Sequence, residues 1–334
     1  MKKKFVLVTI VLMCCALAGV YAGGSSDSAA AADGKQTFAL AHVHPATHLF
    51  NKAMLNFSDL MKERTGGKIN VEVFPSSTLG TERESQEALM AGTLDMAIVT
   101  YESLMVAVPE IGALILPFQY NGYDHGDRVF AGPAGQKAHE IIEKKASTKV
   151  LSHYIQAFRQ IFSQKPLNVA SDIKGIKIRV PESPLYVNTF TLLGAAPTPV
   201  AWAEAYSALD TGVVQAIENT PEAIFSMAMH EVTKYMNLTD HLLAPTTISM
   251  ADNVWKKQSA DVQKILLDAA KEACALGLKL TQEGDGIARK NLAQKLQLVE
   301  VDKKSFRDKM DYSKFDVMKL PVAREIKALI DATK

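Results

Sequence analysis

Between Asp172 and Thr220 the chain reads DIKGIKIRVPESP and then, eight residues later, LGAAPTPVAWAEAYSALDTGVVQAIENT. The run from Ile176 to Val180 predicts a strand that Pro181 ends. Arg179 is next to that end, and ligands of open α/β sheets bind beside the carboxyl ends of strands. A guanidinium matches a carboxylate with two parallel hydrogen bonds. The alternative is a solvated edge strand, since Lys177 and Arg179 share one face.

Strands and helices alternate along the preceding part of the chain. The apolar spacing predicts a strand over 38–41, a helix over 49–64, an alternating strand over 68–74 and a buried strand over 94–99. Thr81 and Glu84 have the spacing of a capping box, and the helix that they begin is expected to end at Gly92. This alternation predicts an α/β protein with a mainly parallel sheet.

A faint internal repeat favours two such units. Ala88 to Gly92 and Ala208 to Gly212 each predict a helix end with a glycine stop, followed by a buried strand. The first strand ends at Thr100 and the second at Asn219. Two similar halves that face each other would place both polar residues on one cleft, although helix–glycine–strand units also recur by chance.

The N-terminus is typical of an exported protein. Three lysines follow Met1, and an apolar run extends from Phe5 to Val20, so residues 1–22 are predicted to be a signal peptide cleaved near Ala22. The run is short for a membrane span. Lipoprotein processing at Cys14 or Cys15 is the alternative. Residues 23–36 are rich in Gly, Ser and Ala and predict a flexible tether.

Charge and cysteine content exclude two classes of protein. The chain has 37 basic and 36 acidic side chains; without the three leader lysines 34 basic ones remain, for a formal charge of −2. That balance, with no arginine-rich arm, excludes a nucleic-acid-binding protein. Only Cys274 remains of the three cysteines after cleavage, so no internal disulfide and no cysteine-based metal site is expected. A chain of this length usually forms two domains.

Common catalytic motifs are absent from the sequence. It contains no G-x-S-x-G elbow, Walker A loop, G-x-G-x-x-G or C-x-x-C, and the two His-Glu pairs, at His139 and His230, lack the second histidine of a zincin. We therefore expect no catalytic residues, no cofactor and no enzyme. A catalytic triad is set by geometry rather than by spacing, so a secreted hydrolase stays the alternative.

Three histidines follow the first predicted strand. His42, His44 and His48 have spacings that zinc or copper could use, but no fourth ligand is nearby in sequence. The segment is also a plausible helix start, with Thr47 as the cap. We expect a loop at the cleft rather than a metal site.

Several motifs together resemble the solute-binding proteins of TRAP transporters, the DctP-type family. In chain order they are FPSSTLGTERE, AGTLDMAIV, LPF, DIKGIKIRVP, LGAAPTPVAWAEAYSAL, TGVVQAIEN and HEVTKYMNLTDH. The resemblance runs from about Phe38 into the 280s, and it is weak after Leu292. QAIEN stands where many relatives have DGQEN.

The resemblance implies roles for individual residues. Arg179, Arg159 and Asn219 would hold the carboxylate of a small organic acid, and Trp202 would pack on the ligand. Glu82, Thr100 and Tyr101 would contact its variable end. The loop with His44 and His48 would line the cleft, and Glu218 would be structural.

The family also implies a two-lobed, periplasmic binding protein-like fold. Each lobe would be a mainly parallel sheet flanked by helices, with a long helix, within Ser259 to Leu296, crossing both. The expected bounds are 37–156 and 245–284 for lobe I, and 157–244 and 285–334 for lobe II. A monomeric periplasmic protein would deliver its ligand to small and large membrane permease subunits for uptake driven by an ion gradient.

The sequence does not distinguish C4-dicarboxylates, 2-oxo acids, uronates and other acid sugars as ligands. A periplasmic scaffold or chemosensory protein would need no tight small ligand and is a second alternative.

Overall fold

The computed structural model describes residues 35–333. The expected signal peptide, the lipoprotein alternative at Cys14 or Cys15 and all but the end of the tether lie outside the described residues. Gln36, assigned to the tether, instead begins the first strand. None of the helices in the described part is long and apolar enough to cross a membrane.

The first third of the fold follows the predicted alternation. Its elements are β1 (Gln36–Ala41), α1 (Leu49–Arg64), β2 (Ile69–Phe74), α2 (Glu82–Ala91) and β3 (Met96–Thr100). The Thr81–Glu84 capping box begins α2, and Gly92 ends it with a φ of 72° that favours glycine. One detail differs, because α1 is capped by His48 and not by Thr47. The Nδ1 atom of His48 accepts a hydrogen bond from the amide of Phe50.

The remaining elements complete two halves joined by long strands. Next come α3 (Tyr101–Ala107), α4 (Tyr123–Ala131), α5 (Pro133–Ala146), β4 (Thr148–Ser163), β5 (Lys177–Val180), α6 (Pro184–Leu193), β6 (Ala196–Pro199), α7 (Ala205–Asp210), β7 (Ala216–Asn219), α8 (Pro221–Ser226) and β8 (Tyr235–Ala251). The chain ends with α9 (Asp252–Trp255), α10 (Ala260–Ala293), β9 (Gln297–Val299), α11 (Lys303–Arg307) and α12 (Pro321–Ala332).

The strands form one continuous sheet in the order β2-β1-β3-β8-β4-β7-β5-β6, with β9 beside β8. At one end β1 and β3 are parallel, and at the other β5 is parallel to both β6 and β7. Between them β4 and β8 pair antiparallel from Thr148 with Ala251 to Ser163 with Tyr235. The two lobes therefore share these two strands.

The expected lobe boundaries, at 156/157 and 244/245, fall inside the shared strands. They lie beside the pair formed by Ile155 and Pro245, where the register of β4 against β8 then shifts. These bounds stay a prediction, because the chain from Thr37 onward forms one compact unit.

The long helix is confirmed. α10 has 34 residues, and its N-cap is Ser259. At 1.5 Å per residue it is roughly 50 Å long. It packs against α1 from one half of the sheet and α8 from the other, so it spans both lobes.

The internal repeat is also present in the structure. Gly92 and Gly212 follow their helices with φ angles of 72° and 73°, and β3 and β7 follow each of them. Thr100 ends β3 and caps α3, whereas Asn219 ends β7 just before the cap of α8. The two polar strand ends lie in the same cavity, as the sequence predicted.

Candidate functional site

A cavity of about 240 Å³ lies between the two halves of the sheet. This is somewhat below the ~300–1,000 Å³ of common ligand pockets, which favours a small ligand. Seven of the nine predicted site residues line it: His44, Glu82, Thr100, Arg159, Arg179, Trp202 and Asn219.

Arg179 offers a buried positive charge to the cavity. Its side chain is 3% exposed, and its Nε and Nη2 atoms donate to the carbonyl oxygen of Val200 at 2.9 and 2.6 Å. Its guanidinium carbon lies 5.4 Å from the centre of the Trp202 ring. Within residues 35–333 no carboxylate forms an ion pair with it. Burial lowers the pKa of Arg179 to about 10, so it stays charged at neutral pH.

Arg159 lies in the same cavity but is held by the protein itself. It is an interior residue of β4, 3% exposed, and Glu218 on β7 binds it at two points, Nε to Oε2 at 2.5 Å and Nη2 to Oε1 at 2.7 Å. Burial would lower the pKa of Arg159, but Glu218, Tyr186 and Glu102 together outweigh it and the pKa is raised. Burial would likewise raise the pKa of Glu218, and Arg159 holds it low. Glu218 thus holds the side chain of Arg159 in place inside the protein.

Glu102, near the start of α3, is a cavity residue that sequence reasoning missed. It is 5% exposed, and its Oε1 atom lies 3.3 Å from Nη1 of Arg159. Its buried Oε2 atom has no hydrogen-bond partner among the described residues. Burial raises the pKa of Glu102 to about 7, against the opposing effect of Arg159.

Two hydrogen bonds from Thr100 hold the carboxylate of Glu82 in position. The Oε1 atom of Glu82 accepts from the amide of Thr100 at 2.7 Å and from its hydroxyl at 2.5 Å. Loss of solvation raises the pKa of Glu82. A carboxylate fixed in this way is an acceptor for hydroxyl groups.

Asn219 and Trp202 complete the half of the site that contains Arg179. The Oδ1 atom of Asn219 accepts from the amide of Thr220 at 2.8 Å, which leaves its NH₂ group as the donor it can offer. The Nε1 atom of Trp202 is buried with no partner in the described structure. Trp202 is half-buried, lines the cavity and packs against the hydrophobic core of this half.

His44 connects the two halves across the cavity. Its ring centre lies 5.9 Å from that of Trp202 and 4.0 Å from that of His48, on which it stacks. Burial holds the pKa of His44 well below its usual range. Within residues 35–333, no three potential ligands are arranged to hold a metal ion, and His42 instead contacts Asn51.

Two predicted residues lie outside the cavity. Tyr101 is the first residue of α3 and is fully buried in the core, where its hydroxyl is 2.7 Å from Nε2 of His139. His48 caps α1, its Nε2 atom contacts a carboxylate oxygen of Glu222 on α8, and its ring stacks on that of His44. Neither residue is among those that line the cavity, so a contact of either with a ligand stays a prediction.

Gln156, Ser103 and Gln86 also line the cavity and were not predicted. Ser103 donates to Gln86 at 2.6 Å, a bond between α3 and α2. One pattern could have indicated Gln156, because polar residues at 156, 159 and 160 interrupt the otherwise apolar run from Tyr154 to Phe162 within β4.

This chain is similar to known proteins over most of its length and of theirs. A solute-binding protein of Roseobacter denitrificans is 32% identical over 317 residues, 95% of this chain and 96% of the relative. Its crystal structure with bound L-galactonate superimposes with a TM-score of 0.82, covering 89% of this chain and 98% of that one.

Two further relatives bind different acids. A TRAP periplasmic solute-binding protein of Bradyrhizobium sp. BTAi1, solved with D-galacturonate, is 34% identical, with a TM-score of 0.84 and coverage of 89% of this chain and all of that one. The C4-dicarboxylate-binding protein DctB of Bacillus subtilis is 30% identical over 236 residues, 70% of this chain and 67% of DctB.

The family model described as bacterial extracellular solute-binding protein, family 7, matches residues 40–315. Together with the two-lobed fold and the cavity between its halves, this match identifies the chain as a member of the DctP family, the solute-binding proteins of TRAP transporters.

Proposed function

We propose that the protein captures an acid sugar with one carboxylate, and that Arg179 binds this carboxylate. The observation that carries the proposal is the buried guanidinium of Arg179, which has no carboxylate partner among the described residues. A buried charge is costly unless it is paired, so an anionic ligand is the natural partner. Asn219 adds a donor on the same side of the cavity.

The other walls of the cavity favour hydroxyl groups over a second carboxylate. Glu82, Glu102 and Gln156 offer hydrogen-bond acceptors there. A C4-dicarboxylate would bring its second negative charge toward the carboxylate of Glu82, which is unfavourable. The relatives solved with L-galactonate and D-galacturonate support an acid sugar, and the dicarboxylate-binding relative keeps a C4-dicarboxylate as the second candidate.

The expected cellular role follows from the family. We propose a monomer exported to the periplasm that performs no catalysis and delivers its ligand to the small and large subunits of a TRAP permease. Incubating the protein with candidate acids and finding no product would distinguish capture from hydrolysis.

A thermal-shift panel tests the ligand class. It would contain D-galacturonate, D-glucuronate, L-galactonate, succinate and pyruvate. A ligand at a hundred times its dissociation constant stabilises the folded protein by about 2.7 kcal/mol. We expect the acid sugars to stabilise it and succinate not to, and the reverse order would favour the dicarboxylate.

Arg179 variants then test the carboxylate assignment by calorimetry. Arg179→Ala should lose roughly 2–5 kcal/mol of binding free energy, which is about 30-fold to several thousandfold in affinity. Arg179→Lys should also bind poorly, because an ammonium group cannot reproduce the two-point geometry. Wild-type affinity in Arg179→Ala would show that the carboxylate binds elsewhere.

A further inference from the structure

We propose that Glu102 takes up a proton when the anionic ligand binds, so that the protein captures an acid together with one proton. This inference rests on the proposed function and concerns the same cavity. It assigns a role to the one acidic cavity residue that holds a buried oxygen with no partner among residues 35–333.

The balance of charge in the cavity requires some compensation. Arg159 and Glu218 neutralise each other through their two-point pair. At the rim Arg83 pairs with Glu87, and Glu182 is exposed to solvent. Among the remaining cavity residues this leaves Arg179 against two carboxylates, Glu82 and Glu102. A bound carboxylate ligand adds a third negative charge next to one free positive charge. Like charges close together in a buried site raise the pKa of the group that is most easily protonated.

The geometry identifies Glu102 as that group. Its Oε1 atom is 3.3 Å from Nη1 of Arg159, longer than the ~2.7–2.9 Å of a strong charge-assisted bond, so the carboxylate is only weakly held. Its Oε2 atom is buried and free to accept the proton from solvent. The resulting O–H group is a donor for a ligand oxygen, and no other bond needs to form or break.

The other ionisable groups around Glu102 have reasons to keep their present state. The groups near it are Arg159, Arg179, Glu82, Glu218, Tyr186, His44 and His241. Farther along the cavity lie Arg83, Glu87 and Glu182. On the side of the core, His139 of α5 contacts the hydroxyl of Tyr101.

Glu218 and Glu82 both accept hydrogen bonds that a proton would disturb. Glu218 accepts from Arg159 and lies 3.3 Å from His241, and its pKa is lowered. Glu82 accepts twice from Thr100. Burial lowers the pKa values of His44 and His241, so both are neutral near pH 7. Among the cavity carboxylates of residues 35–333, Glu102 is the one with a buried oxygen that has no partner, and burial raises its pKa to about 7.

The direction of the pH dependence follows. Well below pH 7 Glu102 already carries the proton, and binding takes up close to none. Above pH 7 binding must bring a proton with it, so affinity falls by up to about tenfold for each further pH unit.

Calorimetry in buffers of different protonation enthalpy measures this proton directly. The probe is the strongest binder among D-galacturonate, D-glucuronate and L-galactonate, titrated in phosphate and in Tris. We expect uptake of about half to one proton at pH 7.5 and close to none at pH 5.5. Glu102→Gln, which is neutral and similar in shape, should take up none at either pH and should bind with an affinity independent of pH between 6 and 8.

Glu110→Gln is the matched control. Glu110 is another partly buried glutamate of the same half, but it pairs with Lys145 away from the cavity, and its removal should leave the proton number unchanged. Thermal unfolding checks that each variant is folded. Wild-type binding with no proton uptake at pH 7.5, or uptake that persists in Glu102→Gln, would overturn the inference and leave the proposed function standing. Failure of all three acids to bind would overturn both.

Discussion

Arg159 and Glu218 form a buried two-point ion pair, with Nε 2.5 Å from Oε2 and Nη2 2.7 Å from Oε1. The pair joins β4 to β7 at the inner wall of the cavity. Arg159 therefore has a protein partner for its charge, whereas Arg179 has no carboxylate partner among residues 35–333. Both line the cavity, and a contact of Arg159 with the ligand stays a prediction.

Removing Arg159 should lower the free energy of unfolding by more than the loss of one ordinary contact would. Arg159→Ala leaves Glu218 buried without its partner, at a cost of about 3–5 kcal/mol in the free energy of unfolding. Urea denaturation measures it. Arg83→Ala is the control, because it breaks a solvent-exposed pair with Glu87 and should leave the urea midpoint nearly unchanged. Equal urea midpoints for the two variants would contradict the structural role of the pair.

Glu82 and Trp202 should decide which acid is preferred. A buried polar group that a ligand leaves unpaired discriminates strongly among ligands, and Glu82 is fixed by Thr100 in such a position. We expect Glu82→Ala and Trp202→Ala to change the rank order of affinities in a panel of acid sugars. Arg179→Ala, by contrast, should weaken all of them. Uniform weakening by the first two variants would count against this assignment.

Buried histidines should make the protein sensitive to acid. Burial lowers the pKa values of His42 and His153 to about 4 and that of His139 to about 3, whereas unfolded histidines titrate near 6.5. The unfolded state therefore binds more protons as pH falls below 6.5, and stability is lost down to about pH 4.

His153→Gln tests this loss, since His153 is not at the cavity. Between pH 7 and pH 5 the variant should lose about 1–2 kcal/mol less stability than the wild type. Parallel urea curves at the two pH values measure the difference. An identical loss in both proteins would show that His153 does not titrate on unfolding.

The sequence predicted local features well because local rules determine them. The bounds of α1, the Thr81–Glu84 capping box and the glycine stop at Gly92 all follow from residues within a few positions of each other. Arg179 was predicted because a strand end can be recognised from Pro181. The internal repeat that predicted Thr100 and Asn219 on one cleft could be recognised from local patterns alone: a helix, a glycine that ends it and a buried strand.

Contacts between distant elements were beyond such rules. Arg159 contacts Glu102, 57 residues away, and Glu218, 59 residues away, and no spacing rule connects three separate elements. Tyr101 was misplaced for a similar reason. Which side of a strand end faces a cavity depends on the helix that packs there, in this case α5 with His139.

Ligand binding should bring the two halves of the molecule together. The cavity takes His44, Glu82 and Thr100 from one half, and Arg179, Trp202 and Asn219 from the other. A ligand that touches both sets stabilises the closed form through its differential contacts, and only through those. The contacts of His44 with Trp202 and of His48 with Glu222 join the same two halves without a ligand.

Small-angle scattering should therefore show a smaller radius of gyration when a binding acid is added. Arg179→Ala should not contract at the same ligand concentration, because the ligand then lacks its main contact with the second half. Glu222→Gln weakens the contact with His48 without touching the cavity, so it should still contract on binding but start from a larger radius. An unchanged wild-type radius at saturation, with binding confirmed by calorimetry, would show that the halves do not close around the ligand and that the permease must recognise the loaded protein by another feature.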